Sequence, residues 1–223
     1  MYELDDKAHT PWEWHEPLFT YANQLEIDIF SSPFDETAVE LLEKLKVPFY
    51  KIASFEAVDI PLIECVALTN KPVIISTGMA NKDEIAEAVE VLRQNGSGDI
   101  ILLHCISAYP APSDEYNLST LQDLSSSFNL PVGLSDHTVN NIAAITSVAF
   151  GACVIEKHFT LDKNGGGPDD FFSMEPKELK VLSEDLDKTW RAIGTVNYGL
   201  SSSESGNIKF RKSIYFTQDI KRG

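Results

Sequence analysis

Near-continuous apolar runs alternate with amphipathic stretches along most of this chain, and that alternation limits its fold more than any other feature. Phe49–Ser54, Pro72–Thr77, Ile100–Ile106, Val132–Ser135 and Cys153–His158 read as strands buried on both faces, with Ile27–Ser31 as a sixth. Helical spacing separates them: Pro11–Leu25, Glu36–Leu45, Ile60–Thr69, Lys82–Gln94, Leu118–Phe128, Ile142–Phe150 and Pro176–Ile193. In the Lys82–Gln94 stretch Ile85, Val89 and Leu92 form one stripe, and Asn81 with Glu84 reads as an N-terminal capping arrangement. Strict βα repetition leaves two α/β architectures, a doubly wound sheet or a (β/α)8 TIM barrel.

The strand ends decide between them. Polar groups sit at or just past each one: Ser31/Ser32, Lys51/Ser54, Ser76/Thr77, His104/Ser107, Ser135/His137 and Glu156/His158. A doubly wound sheet gathers function at one switch point, whereas a barrel draws it from every strand end. No Gly-x-Gly-x-x-Gly follows a strand. The expectation is an incomplete barrel, since a full one needs eight strands and about 250 residues. About two βα units are expected to be missing before residue 1. Residues 209–220 read as an extended element stopped short at the other end.

Two tracts carry the sharpest chemistry. Ser135-Asp-His-Thr138 and Glu156-Lys-His-Phe-Thr160 put a histidine just past each of two consecutive strands, so both imidazoles should face one mouth. Two imidazoles at one mouth are candidate ligands for Mn, Fe, Co or Zn; two hydrogen-bonded rim histidines are the alternative. The net charge of −16 argues against nucleic acid and anionic membrane as partners. It also means that an anionic substrate would need local cations. No apolar run is long enough to span a membrane, and residues 1–7 lack a signal-peptide core. Cys65, Cys105 and Cys153 read as reduced core residues, which suits a cytoplasmic protein.

Six motifs occur in order: Lys51-Ile-Ala-Ser54, Ser76-Thr-Gly-Met79, Tyr109-Pro-Ala-Pro112, Ser135-Asp-His-Thr138, Glu156-Lys-His-Phe-Thr160 and Gly167-Pro-Asp169. Together they resemble the sialic acid synthase family. With His9-Thr-Pro-Trp-Glu-Trp-His15 and Ser54-Phe-Glu56, the chain is most similar to its pseudaminic acid synthase branch. That resemblance implies condensation of phosphoenolpyruvate with an N-acetylated amino-sugar aldehyde, 2,4-diacetamido-2,4,6-trideoxy-altrose in this branch, to a nine-carbon 2-keto acid. It implies Lys51, Ser32, Ser54, Ser76, Ser107 and Ser135 around phosphoenolpyruvate, and Glu56, Tyr109 and Asp169 on the sugar. His137 and His158 would hold a divalent metal, Mn2+ with Mg2+ or Co2+ as alternatives.

The resemblance also implies a barrel domain over residues 1–198 and, over 199–223, a linker and the first strand of an antifreeze-like domain swapped across a homodimer. A chain cut short in this way is expected to be inactive alone. N-acetylneuraminate or legionaminic acid synthesis, a metal-dependent aldolase and a non-catalytic metabolite-binding barrel are the alternatives. Glu156 and Lys157 read equally well as rim salt-bridge partners, and His104 as a satisfied rim or core histidine.

Overall fold

The computed structural model describes residues 9–223. The opening residues read against a signal peptide lie outside that range. The chain divides into two compact units, one ending at Ala192 and one running from Ile193 to Gly223.

The first unit alternates helix and strand. Its helices are α1 (Trp12–Gln24), α2 (Glu36–Lys44), α3 (Ile60–Ala67), α4 (Lys82–Gln94), α5 (Thr120–Phe128), α6 (Ile142–Ala149) and α7 (Pro176–Ile193), whose last residue falls in the second unit. Its strands are β1 (Tyr50–Ile52), β2 (Val73–Ser76), β3 (Ile100–Cys105), β4 (Val132–Asp136) and β5 (Ala152–Lys157). Local chemistry starts the helices where the sequence puts polar caps. Asp35 accepts from the Ala38 amide at 2.9 Å, and Asn81 with Glu84 closes a reciprocal capping box ahead of α4.

All strand pairs are parallel and the order is β1-β2-β3-β4-β5. Sequential order with right-handed crossovers places every connecting helix on one face. A doubly wound sheet would reverse direction, and this one does not. The sheet is therefore an incomplete (β/α)8 barrel: helices outside, the other face turned inward.

Strand register gives the two faces different work. Tyr50, Val73 and Ile100, then Ile52, Ile75, Leu102, Val132 and Ala152, line up across the strands and are all at most 5% exposed. They form the core with Leu62, Ile63, Val66, Val89 and Leu92 from the helices. At about 25 cal/mol per Å2 of apolar area, that layer supplies the main stabilisation of the unit. The opposite face carries Lys51, Ser76, Leu103, Cys105, Gly133, Ser135 and Glu156, joined by the same register. One irregularity interrupts it. Val132 pairs with Ala152 but Gly133 pairs with Val154, so Cys153 is an extra residue in β5.

Three expectations need correction. Ile27–Ser31 is not a strand: Ile29 packs on the core and Phe30 lies 4.3 Å from Phe49, but no ladder joins the segment to β1. Residues 209–220 are not an extended strand either. Ser202–Phe210 winds as a 3-10 helix, and among the described residues no strand follows it. Of the cysteines expected in the core, Cys105 alone is buried; Cys65 is half-buried and Cys153, the bulge residue, is exposed. Among the described residues no helix is long and apolar enough to cross a membrane.

Candidate active site

The inward face and the turns beyond it bring most of the sequence-predicted residues together. Lys51, 5% exposed, sends its Nζ to a carboxylate oxygen of Glu156 at 3.4 Å and to the Ile52 carbonyl at 3.3 Å. The other Glu156 oxygen accepts from Ser135 Oγ at 2.7 Å. Glu156 thus ties the cation to a hydroxyl across the floor of the sheet. Ser54 Oγ accepts from the Gly78 amide at 3.2 Å, and Ser107 Oγ lies 3.9 Å from Cys105 Sγ. A Cβ on Gly78 would stand 2.3 Å from Ser107 Oγ and 2.8 Å from Ser54 Oγ, so both hydroxyls crowd the same glycine.

Two polar atoms here, Ser76 Oγ and Glu56 Oε2, are buried without a hydrogen-bond partner among the described residues. Buried polar groups are normally paired, so orphans at a strand mouth mark where a ligand would bond. Burial pushes the Glu56 carboxyl above its ordinary value, opposed by the Lys51 charge.

The histidine pair closes the other side. His137 and His158 continue the inward alternation of β4 and β5, and their ring centroids are 5.2 Å apart at 75°. His137 Nδ1 donates to the Ile106 carbonyl at 2.8 Å. His158 Nδ1 is 3.3 Å from Asp169 Oδ2. Each ring therefore spends Nδ1 on an outer partner and keeps Nε2 for something else, the arrangement that second-shell groups impose on metal-binding imidazoles. Burial lowers the His158 pKa against the pull of Asp169, favouring the neutral ring a metal needs. Burial also lowers His137, but the Cys105 thiol and the Ile106 carbonyl outweigh it and leave it raised. For Cys105, burial pushes the thiol up, while His137, Ser54 and Ser135 together bring it below its ordinary value.

No group of three or more His, Cys, Asp or Glu side chains among the described residues is arranged to hold a metal ion. Two imidazoles fit an ion that shares water and substrate oxygens, not a closed four-ligand zinc. Tyr109 lies over this pair, 4.3 Å from the His137 ring and 5.7 Å from His158, and Phe172 packs against His158 at 5.0 Å, its ring tilted by 52°. Tyr109 thus walls the site.

The outer side of the same strand ends is a brace. Asp136 and Lys157 form a 2.9 Å ion pair with side chains 0% and 5% exposed. Lys157 Nζ also donates to the Thr138 and Asn140 carbonyls, and Asp136 accepts from the Thr138 amide at 2.8 Å, fixing the turn that carries His137. His104 points outward, where its Nε2 bonds the Tyr116 carbonyl.

Ser32 is not shown with the other serines. It lines a separate cleft of about 270 Å3 with Trp12, His15, Ser31, Phe34 and Asp35. Three residues that sequence reasoning did not place in the site belong to it: Glu156, Cys105 and Gly78. Period-2 counting was the available signal, because Glu156 follows Val154 and Cys105 follows Leu103 on the inward face.

The NeuB family matches residues 1–198 of this chain. A pseudaminic acid synthase of Helicobacter pylori is 42% identical over 224 residues, covering 100% of this chain and 66% of that protein. An N,N'-diacetyllegionaminic acid synthase of Campylobacter jejuni is 46% identical over 224 residues, covering 99% of this chain and 65% of that protein. This chain therefore spans a little under two thirds of these relatives' length. Among solved structures, an N-acetylneuraminic acid synthetase from Leptospira borgpetersenii in complex with citrate superposes with a TM-score of 0.86. It is 34% identical, with 94% of this chain and 73% of that chain covered.

Proposed function

This chain belongs to the NeuB family, and on that premise we propose that its full-length protein condenses phosphoenolpyruvate with an N-acetylated amino-sugar aldehyde to a nine-carbon nonulosonic acid and phosphate. The observation that carries this reading is the convergence of Lys51, Ser54, Ser76, Ser107 and Ser135 on one face, beside two histidines that each keep Nε2 free.

Phosphoenolpyruvate is a small polyanion entering a protein of net charge −16, so its affinity has to come from short-range contacts. Lys51 and the serine hydroxyls supply them as charge-assisted hydrogen bonds. Glu156 competes with the substrate for both Lys51 and Ser135, and thereby keeps the cation aligned until the anion arrives. Glu56, with its unpaired oxygen, accepts from a sugar hydroxyl or amide, and Asp169, which holds His158, is the second carboxylate on the sugar side.

The methylene carbon of phosphoenolpyruvate bonds to the aldehyde carbon, and water adds to the electron-poor enol carbon with loss of a proton. The tetrahedral centre then expels phosphate and leaves the 2-keto group. A divalent ion on Nε2 of His137 and His158, Mn2+ in this reading, supplies Lewis-acid polarisation of the aldehyde when bound. Tyr109 and Phe172 wall the rings and limit water around them. The protein works in the cytoplasm and, in this reading, as a homodimer.

The finer assignment is to 2,4-diacetamido-2,4,6-trideoxy-altrose, giving pseudaminic acid. Phe55 supports it. The ring is 61% exposed at the turn between Ser54 and Glu56, free to pack an acetamide or deoxy methyl. Such a contact discriminates by about 10- to 200-fold. The test is phosphate release by the full-length protein with phosphoenolpyruvate and each aldose. No release with any N-acetylated aldose, despite phosphoenolpyruvate binding, would favour a non-catalytic binding barrel. A higher kcat/KM for N-acetylmannosamine would remove the branch assignment and leave the wider one standing.

A further inference from the structure

The loop between β3 and α5 holds His137 at nearly every atom it has. The His137 amide donates to Tyr116 Oη at 2.8 Å, and its carbonyl accepts from the Ala111 amide at 3.0 Å. Nδ1 donates to the Ile106 carbonyl at 2.8 Å, and Tyr109 lies against the ring. Nε2 is the one remaining polar atom. Tyr116 reaches the His137 backbone through its side chain, and it is 1% exposed. Its hydroxyl accepts from His137 and donates to the Ser135 carbonyl at 3.4 Å, so one oxygen sets two residues of the strand end. Tyr116 is itself anchored: its carbonyl is bonded by His104 Nε2, and the two rings meet edge to face at 6.2 Å.

We propose that Tyr116 is a positioning residue for the metal ligand His137, with His104 as the latch that holds Tyr116 in place. The proposal rests on the metal-site reading above. A histidine whose amide loses its partner can shift along the strand, and an imidazole Nε2 displaced by a fraction of an ångström no longer meets the ion at ligand distance. The hydroxyl adds nothing to the apolar packing that Tyr116 shares with Leu134 and Ala143, so its role separates from that of the ring.

The experiment uses the full-length protein and Mn2+ as the probe, with free Mn2+ followed by its electron paramagnetic resonance signal, independent of turnover. Tyr116→Phe keeps the ring and is expected to raise the Mn2+ dissociation constant about 10- to 100-fold. Leu92→Ala, in the outer core far from the site, should lower the melting temperature and leave Mn2+ affinity unchanged. Wild-type binding that Tyr116→Phe leaves within about twofold overturns the clamp. Wild-type protein that binds no Mn2+ removes the metal reading beneath it. Should Tyr116→Phe fail to fold, His104→Asn carries the question: weakened Mn2+ binding supports the latch, and unchanged binding overturns it.

Discussion

Replacing Gly78 by alanine asks whether the serine cluster is a ligand site or a set of helix starts. The added Cβ would lie 2.3 Å from Ser107 Oγ, 2.8 Å from Ser54 Oγ and 3.2 Å from Ser54 Cβ, against an ordinary separation of about 3.5–4.0 Å. Both hydroxyls have to swing away, and the bond from the Gly78 amide to Ser54 goes with them. The obstructing atoms are side-chain ends, so the fold gives way locally. Off-rotamer serines cost about 0.5–1.5 kcal/mol each. An unpaired buried amide costs roughly 1–3 kcal/mol.

Ligand binding should suffer more. Hydrogen bonds to a charged group are worth roughly 1.5–3 kcal/mol each. Losing two weakens phosphoenolpyruvate binding by about 10²- to 10⁴-fold, at 1.4 kcal/mol per decade. Calorimetric titration of the full-length Gly78→Ala protein with phosphoenolpyruvate, beside thermal melts, gives both numbers. The double variant Ser54→Ala/Ser107→Ala should lose similar affinity, and Gly78→Ala added to it should lose little more. Affinity within about threefold of wild type in a folded Gly78→Ala protein would refute the anion pocket.

Lys51→Met should raise the KM for phosphoenolpyruvate about 10- to 100-fold with little change for the sugar; equal effects on both would assign Lys51 to structure. Lys157→Met should destabilise by roughly 3–5 kcal/mol, because it strands the fully buried Asp136 carboxylate, and Asp136→Asn should restore part of the loss in a chemical-denaturation series. Glu56 has a folded-state pKa raised by burial, so its favourable contribution is complete below its unfolded value and fades as pH rises through the folded one. Glu56→Gln should therefore gain on wild type in stability as pH climbs from about 4.5 and then level off, whereas a pH-independent difference would contradict the burial argument.

Strands buried on both faces announced themselves through runs such as Ile100–Cys105, and the capping box at Asn81 was written in the residues themselves. Ile27–Ser31 has the same composition, yet a strand is a pairing and no single segment encodes its partner. The site divides along the same line. Lys51, His137 and His158 stood out as residue types foreign to apolar runs. Glu156 and Lys157 were indistinguishable as neighbours in sequence; register sends one inward to Lys51 and Ser135 and the other outward to Asp136. Cys105 looked like packing because it is buried, but its burial is against the site and not against the helices. Ser32 follows a segment that forms no ladder, so nothing in β-strand register carries its hydroxyl toward the others.

The extra residue at Cys153 acts as a phase-setter for β5. Upstream of it Ala152 faces the helices, and downstream Val154 and Glu156 face inward and Lys157 outward, two interdigitated ion pairs that depend on a single count. Were the bulge ironed out, with Cys153 taking a regular place opposite Gly133, every later residue of the strand would fall out of step. Lys157 would then turn into the anion site and Glu156 against the helices, while the composition of the strand barely changed. Point substitutions along β5 tune this protein, but a change of register there rewrites it. Among homologues, insertions and deletions should therefore gather in the loops and, within β5, be tolerated only at the bulge position 153.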